Sequence, residues 1–112
     1  MASVDALWLV DFGDRYPAEP ASQRPALVIG PPERFGPGFP FVIVTPLTTT
    51  RRGLSLHIEV EATPLTGLNE TSYIQCELIR SIIQDRLVHH LGSVDADTSR
   101  RVATVVKTLL DY

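Results

Sequence analysis

All nine prolines of this 112-residue chain lie between Pro17 and Pro64. Proline fixes φ, removes a backbone donor and breaks helix interiors. The first two-thirds of the chain is therefore expected to be β-strands joined by irregular loops, with proline at turns and sheet edges. Leu7-Trp8-Leu9-Val10-Asp11-Phe12 reads as a first strand and residues 13–23 as a long polar loop. Ala26 to Gly30 reads as a second strand that stops at Pro31-Pro32. After the Gly/Pro-rich stretch from Phe35 to Pro40 comes a third, Phe41-Val42-Ile43-Val44. Leu54 to Val60 alternates apolar and polar residues, the period of a half-buried strand. Tyr73 to Glu77 and Leu78 to Ile82 continue the β-character, with a bulge or bend between them.

Only the end of the chain reads as helix. Asp95 can cap it, and Asp97 suits the positive end of its dipole. Val102, Val105, Val106, Leu109 and Leu110 then form one apolar stripe at helical spacing, which must cover a sheet or a partner. Short antiparallel strands with one terminal helix predict a mainly β (α+β) fold, a small barrel or strongly bent sheet. The length suits one domain, residues 1–112.

Composition excludes several classes. Apolar residues are 44% and charged residues 21%, ordinary for a soluble globular protein. No apolar run approaches the roughly 20 residues of a membrane span. Residues 1–5 lack a basic region and a long apolar segment, so no signal peptide is expected. A lone cysteine, Cys76, gives neither an internal disulfide nor a cysteine-based zinc site, which fits the cytoplasm. It reads as a buried small residue, and Trp8 and Phe12 read as core. A net charge of −3 is not a nucleic-acid protein's usual footprint. Yet nine of the ten basic residues are arginine, the better residue for bidentate phosphate contacts.

Two apolar runs each end in a reactive polar group. Arg24 opens the run Arg24-Pro25-Ala26-Leu27-Val28-Ile29, and Thr48 closes Val44-Thr45-Pro46-Leu47-Thr48. If these strands pair, a permanently charged guanidinium and a hydroxyl face one pocket, a combination suited to a phosphate. The plainer reading is a strand-edge arginine and a turn threonine.

These blocks carry a family resemblance. Leu7 to Phe12, Arg24 to Val28, Pro46-Leu47-Thr48, Cys76 to Ile82, and Arg86 to Val94 resemble the MazF/PemK (Kid) toxins of bacterial toxin–antitoxin systems, in order and at family spacing. The resemblance implies a small SH3-like barrel of the CcdB/PemK/MazF type with a C-terminal helix, assembled as a homodimer. It implies a metal-independent, sequence-specific endoribonuclease that needs no cofactor and cuts single-stranded RNA, leaving a 2′,3′-cyclic phosphate and a 5′-hydroxyl. The implied partner, besides RNA, is a cognate MazE-like antitoxin whose C-terminal tail wraps the toxin dimer. No membrane association is expected.

The family's central catalytic pair maps to Arg24 and Thr48. Arg24 would neutralise the scissile phosphate, and Thr48 would hold a non-bridging oxygen. Glu19 stands five residues before Arg24, where some members carry a functional glutamate; the neighbouring Pro20 and Ser22 depart from that block. Glu77 falls where the Kid branch has a functional aspartate, and Gln75 where it has an arginine. Thr49, Arg51, Arg52, His57, Gln75 and Glu77 are the expected substrate-binding residues. His57 shares a strand face with Ser55 and Glu59, so it is expected to be exposed and to line the groove. His89-His90 would diverge on a strand, a poor metal pair, and no metal site is expected. For Glu19 and Glu77 the bland alternative is a solvated carboxylate. Two rival functions stand beside RNA cleavage: a CcdB-like poison of DNA gyrase, and a catalytically silent antitoxin-binding homologue. CcdB ends in Trp-Gly-Ile, whereas this chain ends Leu109-Leu110-Asp111-Tyr112, which favours RNA cleavage.

Overall fold

A computed structural model describes residues 2–13, 23–35 and 38–111. Among these residues seven strands precede one α-helix: β1 Ala6–Asp11, β2 Gln23–Gly30, β3 Phe41–Thr48, β4 His57–Val60, β5 Ser72–Gln75, β6 Arg80–Ile83, β7 Leu87–Ser93 and α1 Ala96–Leu109. All pairings are antiparallel, in the order β4-β5-β3-β2-β1-β7, with β6 also on β3.

The long strand β3 organises the sheet. One edge pairs with β2. The other pairs with β6 from Phe41 to Val44 and with β5 at Leu47 and Thr48. Pro46 falls between these two partners, where its missing N–H interrupts neither ladder on that edge. The strand therefore runs through the proline to Thr48 rather than stopping at Val44, as the sequence reading expected. At the opposite ends of the run β6-β3-β2-β1-β7, β6 and β7 are joined by a three-residue 3₁₀ turn, Gln84–Arg86. So short a bridge between the two ends curls the sheet into a barrel-like shape.

Period two in the central strands feeds two cores. Leu7, Leu27, Leu47, Ile58, Val60, Ile74 and Cys76 pack with Val94 and Val102 beneath α1. Val10, Ala26, Val28, Val42, Val44 and Ile82 form the other, with Trp8 and Phe12 only half-buried at its margin rather than within it. Asp95 caps α1 by accepting from Thr98 N at 2.8 Å. Val102 is buried and Val105 and Val106 are half-buried, but Leu109 and Leu110 at the end of the stripe are exposed. Two glycines lock the loop before β5 onto β7. A Cβ on Gly67, whose φ is +70°, would lie 1.9 Å from the Leu91 carbonyl oxygen, and one on Gly92 would lie 2.2 Å from that of Leu65.

Three local expectations are revised. Leu54–Leu56 are not strand, so β4 begins at His57. The bend between the fifth and sixth strands is a 3₁₀ turn, Cys76–Leu78, and Leu87–Ser93 is a strand that the pattern did not announce. Among the described residues, no helix is long and apolar enough to cross a membrane.

Candidate active site

The β2–β3 register pairs Ala26 with Pro46; continued by two residues, it sets Arg24 across from Thr48. The guanidinium is held in place. Nε and Nη2 of Arg24 donate to the Leu47 carbonyl at 3.3 and 3.0 Å, and Nη2 also donates to Gln75 Oε1. Gln75 is only 6% exposed. An amide oxygen is a neutral acceptor: it orients the planar fork without supplying a negative charge of its own. The neighbouring Thr48 accepts from Thr50 N at 3.2 Å, which leaves its hydroxyl proton to donate.

A second polar pair lies beside the first. His57 is the cross-strand partner of Gln75, and its Nε2 is 2.9 Å from Glu77 Oε2. Glu77 comes back over the ring because the chain turns through the 3₁₀ segment directly after β5. The imidazole is thereby 2% exposed, a correction to the expected solvent-facing histidine, and its Nδ1 is buried with no hydrogen-bond partner among the described residues. One row of the sheet runs Thr48, Tyr73, Glu59, and the adjacent row places Gln75 beside His57.

The structure thus brings Arg24, Thr48, Gln75, His57 and Glu77 onto one continuous face. Arg51 joins this group at a pocket bordering His57. Thr49 and Arg52 are exposed on the connection after β3. Glu19 lies outside the described residues. Tyr73 and Arg101 were not singled out from the sequence, yet both line the pocket with Arg51 and His57. Strand alternation from Thr48 and His57 could have found Tyr73, whereas Arg101 depends on how α1 packs. Cys76, immediately after Gln75, is fully buried; desolvation and then the Glu77 carboxylate push its thiol up to about 11. It is an inert core residue. His90 packs against Trp8, ring centroids 5.3 Å apart and planes tilted by 60°, and the described residues include no cluster of three or more His, Cys, Asp or Glu that could hold a metal.

Arg24, held by the Leu47 carbonyl and Gln75, and the Thr48 hydroxyl thus end neighbouring strands at one edge of a small, barrel-like antiparallel sheet. The family model for the PemK-like, MazF-like toxin of type II toxin–antitoxin systems matches residues 5–110, and the chain belongs to that family. Its fold matches the Mycobacterium tuberculosis toxin MazF-mt6 at TM-score 0.76 and 25% identity, covering 95% of this chain and 96% of that one. It matches MazF from Deinococcus radiodurans at TM-score 0.82 and 20% identity, covering 99% and 97%. A mycobacterial endoribonuclease in complex with its cognate antitoxin matches at TM-score 0.79 and 21% identity, covering 99% and 96%. No curated protein matches the sequence.

Proposed function

We propose that this toxin is a metal-independent endoribonuclease, a single domain that works as a homodimer in the cytoplasm and is neutralised by a cognate antitoxin. The observation that carries the reading is the Arg24 guanidinium, pinned by the Leu47 carbonyl and Gln75 at the strand edge that ends in Thr48. Matches to solved endoribonucleases, one in complex with its antitoxin, support the activity and the partner. The exposed Leu109 and Leu110 at the end of α1 support a second apolar surface coming against this one.

RNA brings its own nucleophile. The 2′-oxygen attacks phosphorus as its proton passes to a base; Glu19, at the spacing where some family members carry a functional glutamate, is the candidate for that role. Negative charge then develops on the non-bridging oxygens of the phosphorane. Arg24 and the Thr48 hydroxyl donate to those oxygens, and pre-set donors of this kind supply most of the stabilisation because nothing reorganises during the reaction. The bond from phosphorus to the 5′-oxygen breaks, the leaving oxygen takes a proton from solvent water, and a 2′,3′-cyclic phosphate remains. Arginine has a pKa above about 12 and is a poor acid, so Arg24 acts through its charge. Gln75 keeps the fork aimed.

Incubating the protein with mixed single-stranded RNA in EDTA, then mapping the cut sites and end groups, tests this. Cuts at a restricted set of sequences with cyclic phosphate and 5′-hydroxyl ends are expected. Cleavage that appears only when magnesium is restored would contradict it.

A further inference from the structure

Gln75 orients the Arg24 guanidinium, yet it stands where the ladder that carries it ends. The pair His57–Gln75 is the terminal pair of the β4–β5 register. On its other side β5 pairs with β3 only as far as Ile74, opposite Leu47. The next β3 residue is Pro46, which has no N–H to donate. The 3₁₀ turn that follows, Cys76–Leu78, has no side-chain cap; Gln75, at its N-cap, gives its amide oxygen to Arg24. Strand ends fray, and a guanidinium aimed from a fraying end would not keep its direction.

One bond closes this end. Glu77 reaches back from the turn, and its Oε2 lies 2.9 Å from His57 Nε2. An ionised carboxylate only accepts, so Nε2 carries the hydrogen of this bond. Glu77 follows Gln75 by two residues, and His57 faces Gln75 across the ladder, so the bond spans Gln75 from turn to strand. Directly opposed residues on one face of an antiparallel pair have Cβ atoms about 5 Å apart, which sets the imidazole beside the Gln75 side chain. Cys76, between Gln75 and Glu77, is buried in the core beneath α1 and anchors the turn from the opposite face. The His57 ring is 2% exposed and the Glu77 side chain 29%, so the ring offers almost no surface to an RNA strand.

Resting on the reading of the chain as an RNA-cleaving toxin, we propose that His57 and Glu77 are positioning residues rather than substrate contacts. Their bond holds the end of β5, the end of β5 holds Gln75, and Gln75 holds the Arg24 fork. The two act as one unit, because losing either partner loses the bond. Their effect on the reaction passes through Gln75.

Cleavage kinetics on a mapped RNA, paired with a spectroscopic readout that needs no cleavage, test this. His57→Phe keeps a ring without the donor, and Glu77→Ala removes the acceptor from a partly exposed position. Each should lower kcat roughly three- to ten-fold with KM little changed. Glu77→Gln, whose amide oxygen still accepts, should recover part of the loss. His57→Phe combined with Glu77→Ala should be no worse than the worse single variant, and His57→Phe added to Gln75→Leu should lower kcat little further. In nitrogen–proton correlation spectra, Arg24 Nε–H, bonded to the Leu47 carbonyl, should give a slowly exchanging signal identified by its absence in Arg24→Lys. That signal should exchange faster in both His57→Phe and Glu77→Ala. Circular dichroism checks that each variant is folded. A rise in KM at unchanged kcat would make the pair a substrate contact and overturn the proposal. Full additivity with Gln75→Leu would overturn the route through Gln75. A Glu77→Gln loss as large as that of Arg24→Ala would make the carboxylate a proton acceptor instead. If the protein cuts no RNA but the Arg24 signal responds to both variants, the positioning bond stands and the proposed function falls. If RNA is cut while kcat and the signal ignore both variants, the function stands and the positioning bond falls.

Discussion

The β4–β5 pair has two faces with opposite duties. Toward α1 it presents Ile58, Val60 and Ile74, all in the core beneath the helix. On its other face stand His57, Glu59, Tyr73 and Gln75, in register with one another and with Thr48. The same backbone thus carries the packing that stabilises the barrel and the polar row that extends the Arg24 site. Burial alone does not separate the two faces, because the His57 imidazole and Gln75 are nearly as hidden as Ile74. What separates them is that the hidden polar groups point at one another: Gln75 to Arg24, His57 to Glu77. Buried polar groups persist where they are paired, and here the pairing sets the shape of a site.

Substitutions on the two sides should separate accordingly. The largest effect is expected at the polar edge. Arg24→Ala should reduce RNA cleavage by about 10²–10³-fold or more, the usual loss when a pre-set donor to a developing oxyanion is removed, with the melting curve little changed. If Arg24→Ala cuts at the native rate, the site is misassigned. On the apolar face, Ile74→Ala should cost about 2–5 kcal/mol of stability through the cavity it leaves, read by denaturant unfolding. A loss well under 1 kcal/mol would mean that the inner face is not the core described. Between these lies Gln75→Leu, of similar size but without the acceptor. It should lower kcat roughly ten-fold with little change in KM, since the fork loses its aim while the charge stays. Gln75→Asn and Gln75→Glu should recover part of the loss in so far as their oxygens still reach Nη2. A change confined to KM would instead make Gln75 a substrate contact.

How much of this could be seen in the chain differs between the faces for physical reasons. The Asp95 cap, the Val102 stripe and the juxtaposition of Arg24 with Thr48 follow from local pattern and pairing, and the fold class with them. The apolar face of β4–β5 was legible from alternation at Ile58 and Val60. Alternation also misled, because it counts His57 as outward-facing and cannot see Glu77 returning over it. The run of β3 through Pro46 depended on a change of edge partner at that residue, which is a tertiary fact. The strand β7 is an edge strand with exposed Val88, His89 and His90, so it lacks the half-buried signature that strand reading relies on. Arg101 reaches the pocket only because of where α1 sits.

A smaller effect is expected at Cys76, in the core beneath α1. Its thiol has an ordinary value of 9.0 and is pushed up to about 11 in the fold. As pH rises from 9 to 11, the unfolded chain loses this proton before the folded one does, so stability should fall across that window. Cys76→Ala should flatten this part of the pH profile, and the native thiol should resist iodoacetamide at neutral pH until the protein unfolds. Rapid alkylation of the folded protein would show that this part of the core opens. Weaker still is the response at the start of α1. The hydrogen bonds from Thr98 hold the Asp95 carboxyl below its usual value, so the cap stabilises above the ordinary aspartate range and is lost as pH falls through the lowered one. Asp95→Asn should remove that acid-side dependence from the melting profile; an unchanged profile would mean that the cap does not titrate with folding.

The central claim is that RNA's own 2′-oxygen is the nucleophile at Arg24 and Thr48. Its most direct test is an oligoribonucleotide containing a mapped cut site, synthesised with a single 2′-deoxy sugar on the 5′ side of that bond and incubated in EDTA. The deoxy-substituted strand should stay intact at that bond while the all-ribose strand is cut to cyclic phosphate and 5′-hydroxyl ends. Cleavage of the deoxy-substituted strand at the same bond would show that water attacks instead, and would remove the roles given to Arg24, Thr48 and Glu19 together.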